Sequence, residues 1–452
     1  MGDRYSLQSH SNNSGSSNGN GGTTKKTKAK KKKSRSKKMT MEQILASKSV
    51  MEWVFLDSSS GSTVSSVEEF GVPKSQTKFA EKVVLELHSH SICSDGFLSP
   101  SALVERAHRN GVKALALTDH DTMSGIPEAL EAARKFGIRI IPGVEISTMF
   151  SPRGESGAEE PVHILAYYSS CGPTRFEKLE NCLANIRDGR YLRAKNILSK
   201  LNNLKMPLKW EHVTKIAGNG VAPGRLHVAR AMVEAGHVEN LRQAFNRYLY
   251  DGGPAYSTGS EPLAEEAVQL ICQTGGVAAL AHPWALKNPA AVIRRLKDAG
   301  LHGMEVYRSD GKMEAFSALA DTYGLLKLGG SDYHGRGGHD ESDLGCVNLP
   351  VLAIHEFLKV ARPIWCSAIR DVLQSYVEEP SESNLERIAM YGKIRNLKGG
   401  ASVSCGKDVV DLCLSSWLTK EERLSVEFEA LKLKLSHTVI NQGSIIQVSV
   451  MT

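Results

Sequence analysis

None of the eight cysteines falls in a Cys-x-x-Cys pair, and their spacings form no regular framework. A disulfide scaffold is therefore not expected, and reduced thiols in an intracellular protein are. Nothing in the chain resembles a secretory signal, and no run of about 18 apolar residues predicts a membrane span. A general surplus of basic charge is missing as well. The first forty residues carry +10, because residues 25–38 hold ten Lys and Arg while Arg4 and Asp3 cancel; the total is +7, which leaves about −3 for the other 412. The folded part is not a generally basic nucleic-acid binder; the tail is.

Residues 7–24 (LQSHSNNSGSSNGNGGTT) have almost nothing to bury, and with the Lys run they are expected to be disordered. The Lys run reads as a nuclear import signal or as a solvated tail with loose affinity for nucleic acid. Met1-Gly2 with Ser6 also matches a myristoylation pattern, for which the basic run would be a second membrane signal. Apolar content of 41% with 23% charged residues is that of an ordinary globular protein.

From residue 83 the pattern becomes periodic. VVLELH predicts a strand; Ser99-Pro100 opens a helix as N-cap and first position, and Gly111 closes it. Strands follow at 112–118, in IRIIPGVEI and at 162–168, with a helix over 124–136. Residues 175–250 look mainly helical and break the alternation, as an inserted domain would. Strand–helix units resume at 276–282, 289–299, 303–308 and 312–323, and LLKLGGSD ends the series. This many units with short connections predict a parallel sheet closed into a barrel. The domain reading is 1–80 tail and linker, 81–174 first part of the barrel, 175–261 helical insertion, 262–380 second part of the barrel and 381–452 an extension. In that extension VEFEALKLKL and SIIQVSVM read as strands of a small appended sheet.

Imidazoles and carboxylates recur just after the apolar runs, where strand ends converge on one mouth of a barrel. His88 and His90 stand at i and i+2 on an extended segment, which suits two bonds to one metal. Asp95 lies in a Ser-Asp-Gly turn. Asp119-His120-Asp121 ends a buried strand, where ionisable groups cost free energy unless paired or metal-bound. Glu145 sits among apolar neighbours and reads as a bridging ligand. His163 and His282 each lie in or after an apolar strand, and Asp332-Tyr333-His334 repeats the i, i+2 spacing.

HSHSICSDG, TDHD, GVEIS, HILAYY, AHPW and GGSDYHG together resemble the successive motifs of the PHP (polymerase and histidinol phosphatase) superfamily, over about residues 84–340. The resemblance implies a distorted (β/α)7 TIM-like barrel with two or three divalent metals, manganese first, with zinc, iron or magnesium as alternatives. It implies His88, His90, Glu145 and Asp332 on a first metal, Glu145, His163 and His282 on a second, and Asp95, His120 and His334 on a third. The insertion segments GRLHVARAMVEAG and AFNRYLYDGGPAY resemble the branch acting on nucleoside 3′,5′-bisphosphates and, in some members, trimming short RNA from its 5′ end. Leu226 stands where that branch commonly has Pro.

Arg225 and His227 follow a Pro-Gly turn and read as a phosphate grip, with Arg308 and His339 as further phosphate candidates. His334 or His120 is the candidate proton donor to the leaving group. The expected activity is hydrolysis of a phosphate monoester of a nucleotide or short oligonucleotide. Alternatives are a histidinol-phosphate-like phosphatase, a separate proofreading subunit and a non-catalytic scaffold associated with nucleic acid. The expected location is nucleus or cytoplasm, and the sequence does not disclose an oligomeric state.

Overall fold

The computed structural model describes residues 39–56, 83–151, 159–337, 341–381 and 417–442, with a few single positions between the last two ranges. The basic run, the myristoylation pattern, His339 and SIIQVSVM lie outside the described residues.

Seven strands form one sheet in the order β1 to β7: β1 Val84–Glu86, β2 Val112–Leu117, β3 Arg139–Phe150, β4 Glu160–Tyr167, β5 Val277–Leu280, β6 Gly303–Glu305 and β7 Leu326–Leu328. A parallel bridge between Ser89 and Tyr333, with His90 N–H donating to the Tyr333 carbonyl at 2.8 Å, joins the two edges beyond β1 and β7. The sheet is thus a distorted seven-stranded barrel.

One expectation is corrected. β4 runs antiparallel to both β3 and β5, so the sheet is not wholly parallel. Fewer than a dozen residues separate β3 from β4, too few for the helical crossover that a parallel pair requires. As a result His163 does not end its strand. It lies in the first half of β4, opposite Ser147, and the reversed direction of β4 brings it to the same mouth.

Period-two alternation sorts the strand residues between two cores. Leu115, Leu117, Ile164, Ala166, Ala278 and Leu280 face outward under the helices α2 Pro100–Arg109, α3 Ile126–Phe136, α8 Ala264–Gln273 and α9 Pro289–Asp298. Ala114, Ala116, Ile141, Leu165, Tyr167, Val277 and Ala279 face inward. The inner core is closed from below by α1 Met41–Val54 and the first half of α11 Val351–Glu378, through Val50, Trp53, Phe357 and Trp365. Trp53 stacks on Trp365, and Trp365 Nε1–H donates to the Tyr167 carbonyl at 3.1 Å.

The helix ends follow the sequence signals. Ser99 accepts from Ala102 N–H with Pro100 behind it, and Gly137 closes α3 in the left-handed region, which a residue with a Cβ adopts at a cost. Between β4 and β5 lie α4 Phe176–Asn203, α5 Trp210–Ala217, α6 Arg225–Glu234, α7 Leu241–Ala244 and a π-helical turn Phe245–Leu249, with a small core of their own. The tenth helix, α10 Glu314–Thr322, joins β6 to β7.

The appended sheet is also corrected. VEFEALKLKL is the start of a helix, α13 Val426–Gln442, preceded by the short α12 Lys420–Arg423. Phe428, Leu431 and Leu435 recur at helical spacing and pack with Trp417 and Leu418 on Ile369, Val372 and Tyr376 of α11. The alternation of apolar and charged residues in this segment resembles a strand, but burial at i, i+3 and i+7 decides for the helix. No helix among the described residues is long and apolar enough to cross a membrane.

Candidate metal centre

The parity that places Ile141 inside the barrel also turns Glu145 inward, and that of Leu165 and Tyr167 does the same for His163. Glu145 is buried at the mouth with five imidazoles around it. Its Oε2 lies 3.1 Å from His88 Nε2, 3.1 Å from His90 Nε2 and 3.3 Å from His120 Nδ1. Its Oε1 lies 2.9 Å from His163 Nδ1 and 3.0 Å from His282 Nε2. Asp332 Oδ1 is 3.3 Å from His88 Nε2 and 3.2 Å from His90 Nε2. His334 Nε2 stands 3.3 Å from Asp95 Oδ1, and His120 Nε2 stands 4.0 Å from Asp95 Oδ2.

Donor atoms gather in three groups: His88, His90, Glu145 and Asp332; His120, Glu145 and His163; His90, Asp95, His120 and His334. His90 and His120 each offer their two ring nitrogens to different groups, which a list of motifs does not reveal. Burial alone would push the Glu145 carboxyl up, but the surrounding histidines hold it well below the usual carboxylate range. Burial works against the charged form of His90 too, yet hydrogen bonds to Asp332 and Glu145 bring it up to about 10. His120 goes the other way, since burial depresses it more than Glu145 and Asp95 restore.

These residues fit divalent metals. His90 Nδ1, Asp95 Oδ1 and His120 Nδ1 are buried and, although His334 and Glu145 approach the last two, make no well-directed hydrogen bond, a costly arrangement unless a cation takes their lone pairs. Three candidate ligands or their neighbours are held at positive φ: Asp121 at 55°, His282 at 28° and Asp332 at 51°. Such conformations cluster where surrounding structure forces a side chain into a site.

Several residues support the centre, and two of them, Glu305 and Arg190, carry no clear sequence signal. Glu305 ends β6 inside the barrel; its Oε1 is 3.1 Å from His88 Nδ1, and its Oε2 accepts from His282 N–H at 2.7 Å. It thereby fixes the His88 tautomer and leaves Nε2 free as a ligand atom. Asp119 accepts from Ser91 N–H, Ser91 Oγ–H and Ser94 Oγ–H, each at 2.7 Å, and so shapes the loop that carries Asp95. Asp121 accepts from Ser147 N–H at 2.7 Å and from Arg190 Nε–H at 2.6 Å, tying α4 to the barrel.

The phosphate candidates are distributed unevenly. Arg225 lines the cavity above the centre together with Arg190, Arg193 and Arg336. It pairs with Asp251 at 2.5 Å and lies 5.8 Å from the Tyr256 ring centroid. Arg308 is not among that cavity's lining residues; it pairs with Asp310 at 2.8 Å and stacks 4.1 Å from the Trp284 ring centroid. His227 does not face the main cavity either. Its Nδ1 accepts from Gly224 N–H at 2.9 Å, capping α6, and its other nitrogen faces the Ser94 carbonyl.

Burial lowers His227 to about 4, so it stays neutral in the folded protein. The unfolded chain takes up this proton below about pH 6.5. Stability from His227 is therefore fully present above that pH and is lost as pH falls toward 4, by at most roughly 3 kcal/mol. A His227→Gln variant is expected to show a shallower decline of Tm between pH 6.5 and 4 than the parent, measured by calorimetry; equal slopes would show that this histidine is not a seat of acid sensitivity.

A barrel whose mouth gathers imidazoles around a buried carboxylate belongs to the metal-dependent hydrolases. Residues 86–219 match the PHP domain. The chain is 33% identical over 290 residues to a 3′,5′-nucleoside bisphosphate phosphatase of Chromobacterium violaceum, spanning 62% of this chain and 95% of that protein. It is 35% identical over 257 residues to a 5′-3′ exoribonuclease of Haemophilus influenzae, spanning 55% and 89%. A solved structure from Bifidobacterium adolescentis, described as a metal-dependent phosphoesterase, superimposes with a TM-score of 0.53 at 28% identity over 61% of this chain and 95% of that one. The chain belongs to the PHP family and is a metal-dependent phosphoesterase.

Proposed function

We propose that the protein removes phosphate from nucleoside 3′,5′-bisphosphates and from the 5′ ends of short oligonucleotides. The observation that carries this reading is a Glu145-centred cluster of five histidines opening into a cavity lined by Arg193, Arg225 and Arg336. A monoester with a second phosphate nearby needs both features, and the names of the relatives point the same way.

The metal-holding residues we assign are His88, His90, Glu145 and Asp332; Glu145, His163 and His282; and Asp95, His120 and His334. Divalent ions there, manganese as the first choice, supply charge neutralisation and lower the pKa of a water to about 7. The chain's own residues do the positioning. Glu305 orients His88, and Asp119 holds the Asp95 loop. His334 Nδ1–H donates to the Asp332 carbonyl at 2.8 Å, which turns the Nε2 lone pair toward Asp95 and favours a ligand role over proton donation. Arg190 is held by Asp121, Arg193 by Glu261 and Arg225 by Asp251, so these guanidiniums offer their remaining N–H donors to the neighbouring phosphate and Arg336 adds a further positive charge. Residues 175–261 act as the inserted unit that supplies Arg193 and Arg225, flanked by barrel parts 81–174 and 262–380. The basic run 25–38 is assigned to contact with nucleic acid or to nuclear import.

Phosphate release by manganese-loaded protein tests the reading, with adenosine 3′,5′-bisphosphate, a 5′-phosphorylated short RNA and histidinol phosphate as substrates. Turnover of the first two that disappears in His282→Ala is expected. Turnover of histidinol phosphate alone would move the protein to small-metabolite chemistry.

A further inference from the structure

The metal centre opens on two sides. On one lies the cavity lined by arginines; on the other, a chamber of about 380 Å³ sits between the barrel and the helices 176–249. The two spaces share Asp95, His120 and Arg190. A volume of this size falls within the range of about 300–1,000 Å³ in which small organic ligands bind.

Although Phe245 and Tyr256 also line the first, the second chamber is the more apolar of the two. Met123, Pro127, Phe176, Val221 and Ala222 give it apolar walls. Its cations are paired within the protein, as Arg193 is with Glu261 and Arg225 with Asp251 in the first cavity, but it has no counterpart of Arg336. Arg187 donates to the Asp121 carbonyl at 2.8 Å and pairs with Glu180, while Arg190 is held by Asp121. The neutral His227 forms part of the wall. A further phosphate would find no free cation among these groups, whereas an uncharged, flat ring would find an aromatic face and aliphatic surfaces. The chamber starts at the ligands Asp95 and His120, so a ring placed there is directly continuous with the reacting phosphate.

We propose that this chamber, walled by Phe176, Met123 and Ala222, binds the nucleobase of the substrate. The inference rests on the nucleotide reading above and adds where the base goes. Stacking on Phe176 accepts any base, because each presents a π face, so the enzyme discriminates little among bases.

The test compares kcat/KM for adenosine 3′,5′-bisphosphate and for its base-free analogue, 1-deoxyribose 3,5-bisphosphate. Manganese-loaded wild type, Ala222→Trp and Phe176→Ala are measured, with melting curves and metal content recorded for each. Wild type favours the nucleotide, and each variant is expected to cut the nucleotide-to-analogue ratio about tenfold, mainly through KM. If Ala222→Trp does not fold, Phe176→Ala decides. A wild-type ratio near one, or a ratio unchanged in the folded variants, overturns the chamber assignment and leaves the phosphoesterase intact. A wild type that hydrolyses neither compound overturns the nucleotide reading itself.

Discussion

Glu145→Gln is expected to cut phosphate release by a factor on the order of 10³ or more, and to leave purified protein short of bound metal. Each carboxylate oxygen of Glu145 serves a different set of imidazoles: His88, His90 and His120 on Oε2, and His163 and His282 on Oε1. Glutamine preserves the shape but removes the negative charge and turns one oxygen into a donor. Asp332 reaches His88 and His90, but among the described residues Glu145 is the carboxylate in contact with ring nitrogens of both sets. Metal per protein by elemental analysis, measured beside the rate, separates loss of ligand from misfolding. A variant with a full metal complement and a rate within tenfold of wild type would show that Glu145 is not the bridge.

The second large effect concerns stability. Asp121 is fully buried and Arg190 nearly so, and they form an ion pair at 2.5 Å that Ser147 completes by accepting from the guanidinium at 2.6 Å. Removing one partner leaves a buried charge uncompensated, which costs about 3–5 kcal/mol. Asp121→Asn should therefore lower Tm by roughly 5–15 °C. The double variant Asp121→Asn, Arg190→Met should recover a good part of that loss, because both charges are then gone. If Asp121→Asn melts with the wild type, the pair is not what fastens α4 to the barrel.

The side chains that gather at the candidate metal centre are legible because their signals are local. His88 and His90 declare themselves by spacing, and Asp119-His120-Asp121 by following a buried apolar run. Glu145 is conspicuous as a carboxylate inside a strand. Arg190 and Glu305 carry no such mark: the first is one arginine among several on a long helix, the second ends an ordinary short strand. Arg308 read as a phosphate ligand, and the structure gives it Asp310 and Trp284 instead. The direction of β4 is not legible in the sequence, because apolar alternation is the same whichever way a strand runs.

What can be read along the chain is confined to signals within a few residues: the order of strands and helices in the barrel, several helix caps, and the ligand-type side chains at the ends or on the inner face of strands. Which atoms meet was decided only by the tertiary structure. Closure of the sheet brings Ser89 to Tyr333 and thereby sets His90 between Asp332 and Asp95. Folding of α4 against β3 brings Arg190 to Asp121 and opens a chamber on each side of the centre. These contacts join residues far apart in the chain, and their energies depend on burial and distance, which no local pattern encodes.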